Sequence, residues 1–326
     1  MNKTPRFKKI LVTGGAGFIG SSFIRYGLQT FDVEKIINLD LLTYAAHVKN
    51  MAPFQNDPRH LFVQGDIQDS NLVTSLCKDH CIEAIVHFAA ESHVDRSITS
   101  PQDFIETNIV GTFALLEVVR KHPHIHFHHI STDEVYGSCE KGYFSESSSY
   151  LPNSPYSASK AASDHLVRAW AHTYGLSTTI SHCSNNYGPC QHAEKFIPLI
   201  ISHCRQGKPL PVYGQGLNIR DWLYVDDHAD AVWKILNQGS RGEVYDIGGK
   251  TEKKNIDLLH LLIDLYAKKT ATPKELLQRL ITFVPDRPGH DFRYAIDSTK
   301  ISEQLGWVPM HTLEQGLEKT LQWYLT

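Results

Sequence analysis

Residues 10–21 read ILVTGGAGFIGS, an apolar run that enters a cluster of glycines and continues with helical spacing. The spacing Gly15-x-Gly17-x-x-Gly20 matches the fingerprint of dinucleotide-binding turns. Glycines permit a tight turn between a strand and a helix, and they let the backbone approach a pyrophosphate at the helix N-terminus. An acid, Asp40, follows Gly20 by twenty residues and ends the next apolar run, KIINLD. The stretch therefore predicts a Rossmann-type nucleotide site.

Asp40 also indicates which dinucleotide is bound. A carboxylate at the end of the second strand accepts hydrogen bonds from both ribose hydroxyls and would repel a 2′-phosphate. We therefore expect the cofactor to be NAD and not NADP. Asp66, in GDIQD after the third expected strand, could reach the adenine edge by the same logic, but an aspartate there could equally cap a helix.

The first half of the chain alternates short β-rich runs with helical patterns. The expected strands are KILVTG, KIINLD, HLFVQGD, AIVHFAA and FHHISTD, with helical spacing between them, as over 18–28 and 107–119. This alternation predicts an α/β fold with a Rossmann-type, doubly wound parallel sheet. After about residue 182, glycines and prolines divide the chain into short segments, which predicts a smaller, mixed α/β substrate-binding region.

These patterns divide the chain into two expected domains. Residues 1–182 and 219–248 are predicted to form the NAD-binding Rossmann domain, because DHADAVWKILNQ has helical spacing and EVYDIGG is typical of a strand. Residues 183–218 and 249–326 are predicted to form the substrate domain.

Composition excludes several classes of function. The 326 residues are 41% hydrophobic and carry a formal net charge of -3, so no global basic field attracts nucleic acid or an anionic membrane. No segment has the length expected of a transmembrane helix, and the first apolar run is too short for a signal peptide. The six cysteines are scattered, which is typical of reduced thiols. We expect a cytoplasmic protein without nucleic-acid or membrane partners.

A second motif, SPYSASK, places Tyr156 and Lys160 four residues apart, on one face of a helix begun by Ser154 and Pro155. A phenol titrates at about pH 10, and a neighbouring ammonium is expected to lower that pKa. Tyr156 can then take a proton from a substrate hydroxyl while a hydride leaves the same carbon for NAD. Such a pair also occurs by chance on solvated helices, but downstream of an NAD fingerprint it predicts a short-chain dehydrogenase-like enzyme.

The stretch STDEVYG, residues 131–137, adds two adjacent acids to this site. Thr132 ends an expected strand whose carboxyl edge faces the cofactor crevice. Oxidation of an alcohol needs a hydroxyl there but has no use for Asp133 and Glu134. Two acids can divide into an acid and a base, which suits the loss of water from a β-hydroxy ketone. The alternative is that one carboxylate caps a turn and the other points to solvent.

The histidines of HPHIHFHHI raise the question of a metal. His124, His126 and His128 would share one face of an expected strand, and zinc binds imidazole well. Ligands in a line do not make a tetrahedral cage, and no acid or cysteine motif accompanies them. We therefore favour ordinary packing and expect no metal.

Together, these motifs resemble those of the nucleotide-sugar 4,6-dehydratases, which belong to the extended short-chain dehydrogenases. The resemblance runs nearly from end to end and includes NLDLLTYA, HFAAESHVDRSI, CSNNYGP, EKFIPL, IRDWLYVDDH, EKKN and DRPGHDFRYAID. Many NAD-dependent sugar enzymes share TGGAGFIGS and YSASKA, whereas STDEVYG and RPGHDFRYAID are far more specific to the dehydratases.

The resemblance implies a reaction in stages. Tyr156, helped by Thr132 and Lys160, deprotonates the hydroxyl on carbon 4 of a nucleotide-linked glucose while NAD takes the hydride. Glu134 then removes the proton on carbon 5, and Asp133 protonates the hydroxyl that leaves carbon 6. The hydride returns to carbon 6, which regenerates NAD. Thymidine is the family's usual base, and uridine is possible.

The resemblance also implies ligand contacts and a homodimer. The implied cofactor contacts are Gly14, Gly17, Phe18, Ile19, Gly20, Asp40, Leu41, Leu42, Thr43, Asp66, Ile67, Phe88, Ala89, Ala90, Glu91, Ser92, Thr107, Tyr156, Lys160 and Asn186. The implied substrate contacts are Ser92, Thr132, Asn185, Lys195, Phe196, Pro211, Val212, Tyr213, Arg220, Asn255, Asp286, Arg287 and His290. The implied dimer forms through a bundle of helices around 104–120 and 156–174.

Two of the implied contacts also follow from chemistry. The guanidinium groups of Arg220 and Arg287 suit a pyrophosphate, because their paired N–H groups match phosphate oxygens. The alternative for either arginine alone is a surface salt bridge.

The chain departs from the family pattern at a few positions. His182 stands where the family usually has arginine, and Leu41 replaces a frequent lysine. Residues 192–195 read HAEK where the family has FPEK. None belongs to the expected catalytic set, but the changes around 182–194 bear on how the nucleotide is held.

Other functions stay open at this point. A 4-epimerase or decarboxylase of nucleotide sugars would use the same NAD, tyrosine and lysine, but an epimerase has no use for Asp133 and Glu134. A UDP-glucose 4,6-dehydratase would differ only in the base it accepts. A non-catalytic nucleotide-sugar or NAD sensor need not keep all five catalytic-type residues.

Overall fold

The strands of the fold lie in one large sheet and two small ones. The computed structural model describes residues 3–326, and residues 1 and 2, the start of the predicted Rossmann domain, lie outside the described residues. In chain order the strands are β1 (Lys9–Thr13), β2 (Lys35–Asp40), β3 (His60–Gln64), β4 (Ala84–His87), β5 (His126–Thr132), β6 (Thr178–Cys183), β7 (Asn185–Tyr187), β8 (Leu210–Tyr213), β9 (Ile219–Tyr224), β10 (Val244–Ile247), β11 (Glu252–Lys254) and β12 (Ile281–Val284).

Helices connect most of these strands. They are α1 (Phe18–Thr30), α2 (Ser70–Asp79), α3 (Val94–Thr99), α4 (Pro101–Phe104), α5 (Thr112–Lys121), α6 (Pro155–Tyr174), α7 (Phe196–Gln206), α8 (Val225–Gln238), α9 (Asn255–Thr270), α10 (Lys274–Gln278), α11 (Thr299–Leu305) and α12 (Leu313–Leu325). Short 3₁₀ turns span Val48–Met51 and Asp133–Tyr136, and a π-helical segment spans Ile105–Gly111. Across residues 3–326, no helix is both long enough and apolar enough to cross a membrane.

The large sheet is parallel throughout, and its strand order within residues 3–326 is β10-β6-β5-β4-β1-β2-β3. The chain builds outward from β1 to β3 and then restarts on the other side of β1 with β4. This reversal opens a crevice at the carboxyl ends of β1 and β4, where open α/β sheets bind ligands.

Helices cover both faces of the large sheet, which confirms the predicted doubly wound α/β fold. On one face α1 and α8 pack together through Phe23, Phe31 and Trp233. On the other face α2, α5 and α6 bury side chains such as Leu115 and Val167. The strands are rich in branched apolar residues because both faces of the sheet are covered.

The second part of the fold is smaller and mixed. A three-stranded sheet has the order β11-β9-β7, and β8 pairs in parallel with β12. Helices α7, α9 and α12 bury their apolar faces against these strands around a separate core, to which Ile200, Trp222, Leu259 and Leu317 contribute.

The division into domains stays a prediction, but two segments pack differently from that division. Strand β9, which lies within 219–248, pairs with β7 and β11 in the smaller sheet. Helix α11, which lies within 249–326, packs on β10 and buries Ile301 and Leu305 in the core of the large sheet. The positions of β9 and α11 are determined by pairing and packing with segments that are distant in sequence.

The histidines of the HPHIHFHHI stretch are not equivalent. His126 and His128 are buried in β5, and their rings lie within hydrogen-bond distance of Ser177, Thr179 and Ser181. His124 precedes the strand and is exposed. The hydroxyls of the neighbouring segment therefore account for the two buried imidazoles, in line with ordinary packing.

Helix α1 packs so closely on α8 that Gly27 leaves no room for a side chain. A Cβ atom at Gly27 would overlap the buried ring of Trp233. That ring stacks on Phe23 with 4.7 Å between centroids, and its indole N–H donates to the Phe23 carbonyl at 3.1 Å. The ring cannot turn aside without losing these contacts.

We expect Gly27→Ala to lower the free energy of unfolding by about 1–2 kcal/mol. Overpacking costs about 1–3 kcal/mol, and the helix propensity of alanine offsets about 1 kcal/mol of it. Equilibrium denaturation in urea measures the change. Gln29→Ala, at an exposed position of the same helix, is the control and should change stability by less than about 0.5 kcal/mol. A Gly27→Ala protein as stable as its control would contradict this packing.

Candidate active site

A cavity of about 320 Å³ lies at the carboxyl edge of the large sheet. Its wall is built by the turn after β1, the loops after β2, β3 and β4, the ends of β5 and β6, and the start of α6. All of these segments follow strands that point the same way, so their polar residues converge on one crevice.

The turn between β1 and α1 forms one end of the cavity. Gly14 has φ +73°, and a Cβ there would clash with the Ala89 backbone. A Cβ at Gly20 would overlap the Gly14 carbonyl, so helix α1 also sits directly on the turn. No side chain caps the start of α1, whose first amide N–H groups have no carbonyl partner within the helix. A pyrophosphate would satisfy these donors.

Asp40 is held rigidly beside this turn. Its carboxylate accepts hydrogen bonds from the amides of Ala16 at 2.9 Å and Leu42 at 2.8 Å. Burial raises the pKa of Asp40, and the amide donors oppose that rise. The carboxylate lines the cavity in the position expected for ribose recognition.

The structure brings nearly all of the expected cofactor contacts to the cavity wall. Of the twenty residues, nineteen line it, and the exception is Leu42. Leu42 adopts a left-handed conformation with φ 60°, and its side chain packs against the core beneath the sheet. The Leu42 amide donates a hydrogen bond to Asp40, but the Leu42 side chain is not part of the cavity wall. A site with helix N-terminal amides and a ribose-facing carboxylate suits a dinucleotide.

Helix α6 presents Tyr156 and Lys160 at the other end of the cavity. Ser154 and Ser157 form a reciprocal capping box with Pro155 in the first turn, which fixes where the helix begins. The Lys160 ammonium is buried and donates to the Ile130 carbonyl at 2.7 Å. The helical start expected from SPYSASK is therefore confirmed.

The electrostatic effect on Tyr156 is opposite to the expectation from sequence. Burial raises the pKa of the Tyr156 phenol well above its usual value, and the Glu134 carboxylate raises it further. The Thr132 hydroxyl lowers it through a hydrogen bond, and Lys160 is not among the main influences. The lysine ammonium is engaged by the Ile130 carbonyl, so burial dominates. The phenol therefore carries its proton in the resting protein.

The adjacent acids differ in their surroundings. Asp133 is 2% exposed, and burial, followed by repulsion from Glu134, raises its pKa well above the usual range. Burial also raises the pKa of Glu134, but the cations of Arg287, Arg220 and Lys195 oppose that rise. One carboxyl is thus favoured as a proton donor and its neighbour as a base, with both in the cavity wall.

The expected substrate contacts fall into two groups. Ser92, Thr132, Asn185 and Lys195 line the cavity. The carbonyl oxygen of the Asn185 side chain is buried without a hydrogen-bond partner among residues 3–326, as is Oδ2 of Asp133. These unpartnered atoms in the wall suit a polar ligand. Outside the wall lie Phe196, Pro211, Val212, Tyr213, Arg220, Asn255, Asp286, Arg287 and His290.

Several members of the second group are committed to protein contacts. Val212 is fully buried in the core of the smaller part, so only its backbone could meet a ligand. Arg220 donates to the carbonyls of Ile219, Asp291 and Phe292, and its guanidinium lies 4.2 Å from the Tyr294 ring centroid.

Arg287 and Tyr213 are joined through one carboxylate. Arg287 pairs with Asp95 at 3.0 Å, and the Tyr213 hydroxyl reaches the other oxygen of Asp95 at 3.2 Å. His290 lies 2.6 Å from Asp286 and edge-on to the Tyr213 ring. These residues therefore form a polar cluster beside Glu134, whose pKa Arg287 lowers.

Sequence reasoning missed several residues of the cavity wall. They include Tyr44, His93, Cys183, Ser184, Gln191 and His192. Cys183 and Ser184 lie at the end of β6, and the rule that ligands bind at carboxyl edges could have found them. Tyr44 belongs to the family stretch NLDLLTYA but is not among the contacts that the resemblance implies, and the Arg96 guanidinium lies 3.7 Å from its ring centroid.

Comparison with known proteins places the chain in a family. The family model described as GDP-mannose 4,6 dehydratase matches residues 11–320. The dTDP-glucose 4,6-dehydratase of Salmonella typhimurium is 51% identical over 97% of this chain and 92% of its own length. The chain belongs to the nucleotide-sugar 4,6-dehydratases.

Solved structures agree with this membership in the 4,6-dehydratase family. DesIV, a dTDP-glucose 4,6-dehydratase of Streptomyces venezuelae with NAD bound, matches with a TM-score of 0.91 at 44% identity, over 97% of each chain. The UDP-glucose 4-epimerase of Thermotoga maritima matches with a TM-score of 0.86 at 29% identity, over 97% of this chain and 98% of its own. The epimerase shares the fold, but the dehydratase is much more similar in sequence.

The departures from the 4,6-dehydratase pattern lie in different places. His182 is fully buried in β6 and does not line the cavity. His192 lines the cavity, and its ring lies edge-on to Tyr44 at 5.7 Å. Leu41 lines the cavity and is 48% exposed.

Proposed function

We propose that this chain dehydrates dTDP-glucose to dTDP-4-keto-6-deoxyglucose and that it is an NAD-dependent hydro-lyase. The observation that carries the proposal is the pair Asp133 and Glu134, which line the cavity together with Tyr156. Burial raises the pKa of both carboxyls, and the cations of Arg287, Arg220 and Lys195 oppose that rise at the half-buried Glu134. Elimination of water needs two such groups, an acid and a base. Epimerisation at carbon 4 needs neither acid.

The nucleotide end of the cavity fits NAD. The uncapped amides of α1 would donate to the pyrophosphate of NAD, and Asp40 would accept hydrogen bonds from the ribose hydroxyls and repel a 2′-phosphate. NAD supplies the acceptor and later the donor of the hydride. The residues proposed to hold it are those of the cavity wall that the sequence predicted, together with the amide of Leu42.

Tyr156 is proposed as the base at the hydroxyl of carbon 4. Tyr156 can take the proton of that hydroxyl only after its phenol has lost its own, and the Thr132 hydroxyl stabilises the resulting phenolate. The raised pKa then makes the phenolate a strong base. Glu134 opposes a negative charge on Tyr156, so uptake of the substrate proton by Tyr156 relieves that repulsion. Glu134 is then free to act as the base at carbon 5, while Asp133 donates its proton to the hydroxyl leaving carbon 6.

The sugar nucleotide is proposed to lie between Lys195 and the polar cluster of Tyr213, Arg287 and His290. The Lys195 ammonium donates to the Ser92 carbonyl at 2.8 Å. Lys195 and Arg287 both attract the Glu134 carboxylate and oppose the rise of its pKa. Lys195 and Arg287 are the cations proposed to meet a diphosphate, with Arg287 exchanging its ion pair with Asp95 for the phosphate oxygens. Arg220, already bonded to three carbonyls, acts mainly through its charge.

The finer properties are also proposals. A cytoplasmic location is supported by six free cysteines. The 4-keto-6-deoxy product suits a route to a deoxysugar such as rhamnose. A homodimer is supported by apolar side chains exposed on neighbouring helices: Ile105 is 46%, Phe113 44% and Tyr174 49% exposed, and Phe113 rests edge-on against Trp170.

Mass spectrometry tests the function directly. The purified protein is incubated separately with dTDP-glucose and UDP-glucose, without added NAD. We expect dTDP-glucose to lose the mass of one water, with UDP-glucose reacting more slowly. An isomer of unchanged mass would replace the proposal with an epimerase. No change after NAD is added would replace it with a sensor, and a preference for UDP-glucose would change the assigned base.

Glu134→Gln tests the division of roles between the acids. Loss of a general base typically lowers the rate by about 10²–10⁴-fold, so product formation should fall by that factor. Because Tyr156 is intact, reduced nicotinamide should still appear when dTDP-glucose is added, as measured by its absorbance. Glu243→Gln, which removes a carboxylate paired with Lys300 outside the cavity, is the control. Wild-type turnover by Glu134→Gln would refute the assigned role.

Light scattering after size exclusion tests the homodimer. The wild-type protein should have twice the mass of one chain, and Phe113→Glu should shift it to the mass of one chain, because a buried unpaired carboxylate disfavours an apolar interface. Leu276→Glu, at a residue that is 54% exposed on α10, is the control and should stay dimeric. A monomeric wild-type protein would refute the dimer.

A further inference from the structure

Helix α6 carries a third titratable residue on the face that holds Tyr156 and Lys160. Asp164 lies one turn beyond Lys160, at the same spacing of four residues. Its side chain is 0% exposed and faces β5 and β6 behind the cavity wall. The proposed reaction gives it no role. A buried carboxylate beside the catalytic face calls for an explanation, because burying a charge is costly unless it is compensated.

The compensation comes from a buried network. Asp164 Oδ2 accepts a hydrogen bond from the Ser131 hydroxyl at 2.9 Å and lies 3.0 Å from His182 Nε2. The other ring nitrogen of His182 lies 3.0 Å from Asp246 Oδ1. Asp164, His182 and Asp246 are each 0% exposed. An imidazole between two carboxylates uses both nitrogens as donors, so His182 is the cation of this network.

The second oxygen of Asp164 faces the catalytic side. Oδ1 lies 3.3 Å from His129 Nε2, and that same nitrogen lies 3.4 Å from Lys160 Nζ. Oδ1 has no hydrogen bond of good geometry among residues 3–326. Its charge is therefore incompletely neutralised and acts on Lys160 across His129.

Lys160 depends on that charge. Burial lowers the pKa of Lys160 to about 8, and Asp164 is the strongest of the groups that raise it. The other titratable groups that face it are His87 on β4, His129 on β5 and Cys183 on β6. Burial lowers the pKa of both histidines and raises that of the thiol, so all three are neutral at physiological pH. Asp164 is thus the negative charge among these four groups.

We propose that Asp164 is a positioning residue for the reaction: its buried carboxylate keeps Lys160 in the ammonium form, and His182 limits that effect by neutralising Asp164 from the opposite side. The inference rests on the proposed function and on the role that the family resemblance implies for Lys160, which is to help Tyr156 at the reacting hydroxyl. It gives His182, a departure from the family pattern, a task at the reactive end of the site and not at the nucleotide end.

The proposal predicts shifts of opposite sign in two variants. In Asp164→Asn the ammonium of Lys160 loses its stabilising charge, so activity should be lost at lower pH than in the wild-type protein. An opposite charge nearby typically shifts a pKa by about 1–3 units, so the alkaline limb of kcat/KM should move down by about one pH unit or more. In His182→Gln the amide still donates to Asp164 but carries no charge, so the limb should move up.

The experiment measures kcat and KM for dTDP-glucose from about pH 6 to about pH 10 with the holoenzyme. Asp164→Glu keeps the carboxylate and should keep the wild-type limb even if it is less stable. Asp227→Asn is the matched control: it removes another buried carboxylate, which accepts hydrogen bonds from the amides of Met310 and His311 outside the cavity. Its limb should not move.

A second readout is independent of turnover. Calorimetric titration of NAD into protein stripped of nucleotide, over the same pH range, reports the charge on Lys160, because Lys160 lines the cavity. The pH at which binding weakens should fall in Asp164→Asn and rise in His182→Gln. If no protein dehydrates dTDP-glucose but these midpoints shift as expected, the proposed function fails, while the control of the Lys160 charge by Asp164 stands.

Other outcomes overturn the role of Asp164. A uniform loss of activity in Asp164→Asn, with the alkaline limb and the NAD midpoint unchanged, would make the residue merely structural. If Asp164→Asn cannot be obtained folded, His182→Gln decides: an upward shift supports the proposal, and an unmoved or lowered limb refutes it.

Discussion

The close approach of α1 to the turn that precedes it sets the geometry of the whole carboxyl edge. Gly20 rests on the Gly14 carbonyl, and Gly14 in turn rests on the backbone of Ala89. A side chain at either glycine would push the helix or the loop after β4 away from the sheet. Because neither carries one, three segments form one continuous wall, and the amides of α1 open onto the same space as the ends of β4 and β5.

Two neighbouring residues have different chemistry because of the turn that carries them. Asp133 and Glu134 begin a 3₁₀ turn, in which successive side chains point about 120° apart. One step along the backbone therefore moves a carboxyl from the buried side of the wall to the side facing Lys195 and Arg287. The different chemistry of the two acids therefore comes from their environments and not from their residue types.

The large sheet, its order of elements and the convergence of the expected catalytic residues on one cavity could be predicted from sequence because their signals are local. Glycine spacing, strands of five or six apolar residues and a capped helix need no knowledge of distant contacts. The packing partners of two segments could not be read from pattern alone. Strand β9 pairs with β7 and β11, and α11 returns to the large sheet, through contacts with residues far away in sequence.

Two other features could not be predicted from the sequence, because they too depend on the assembled fold. The π-helical segment Ile105–Gly111 interrupts what sequence spacing shows as a plain helix, and it aims Thr107 at the cavity while burying Asn108 against Glu91. The raised pKa of Tyr156 depends on how deeply the phenol is buried, whereas motif spacing reveals only that Lys160 is near. Burial is a property of the assembled fold.

The alternation of segments between the two parts has a mechanical consequence. The chain enters the smaller part at β7, returns to the large sheet with α8 and β10, leaves again at β11 and comes back with α11 before ending in α12. Two parts that are joined by several connecting segments cannot rotate about a single hinge, because every connection would have to bend at the same time. The residues that line the crevice therefore lose their conformational entropy when the protein folds and not when a ligand binds. An enclosure of this kind favours long residence of whatever it encloses, as suits a cofactor that ends each cycle in the state in which it began.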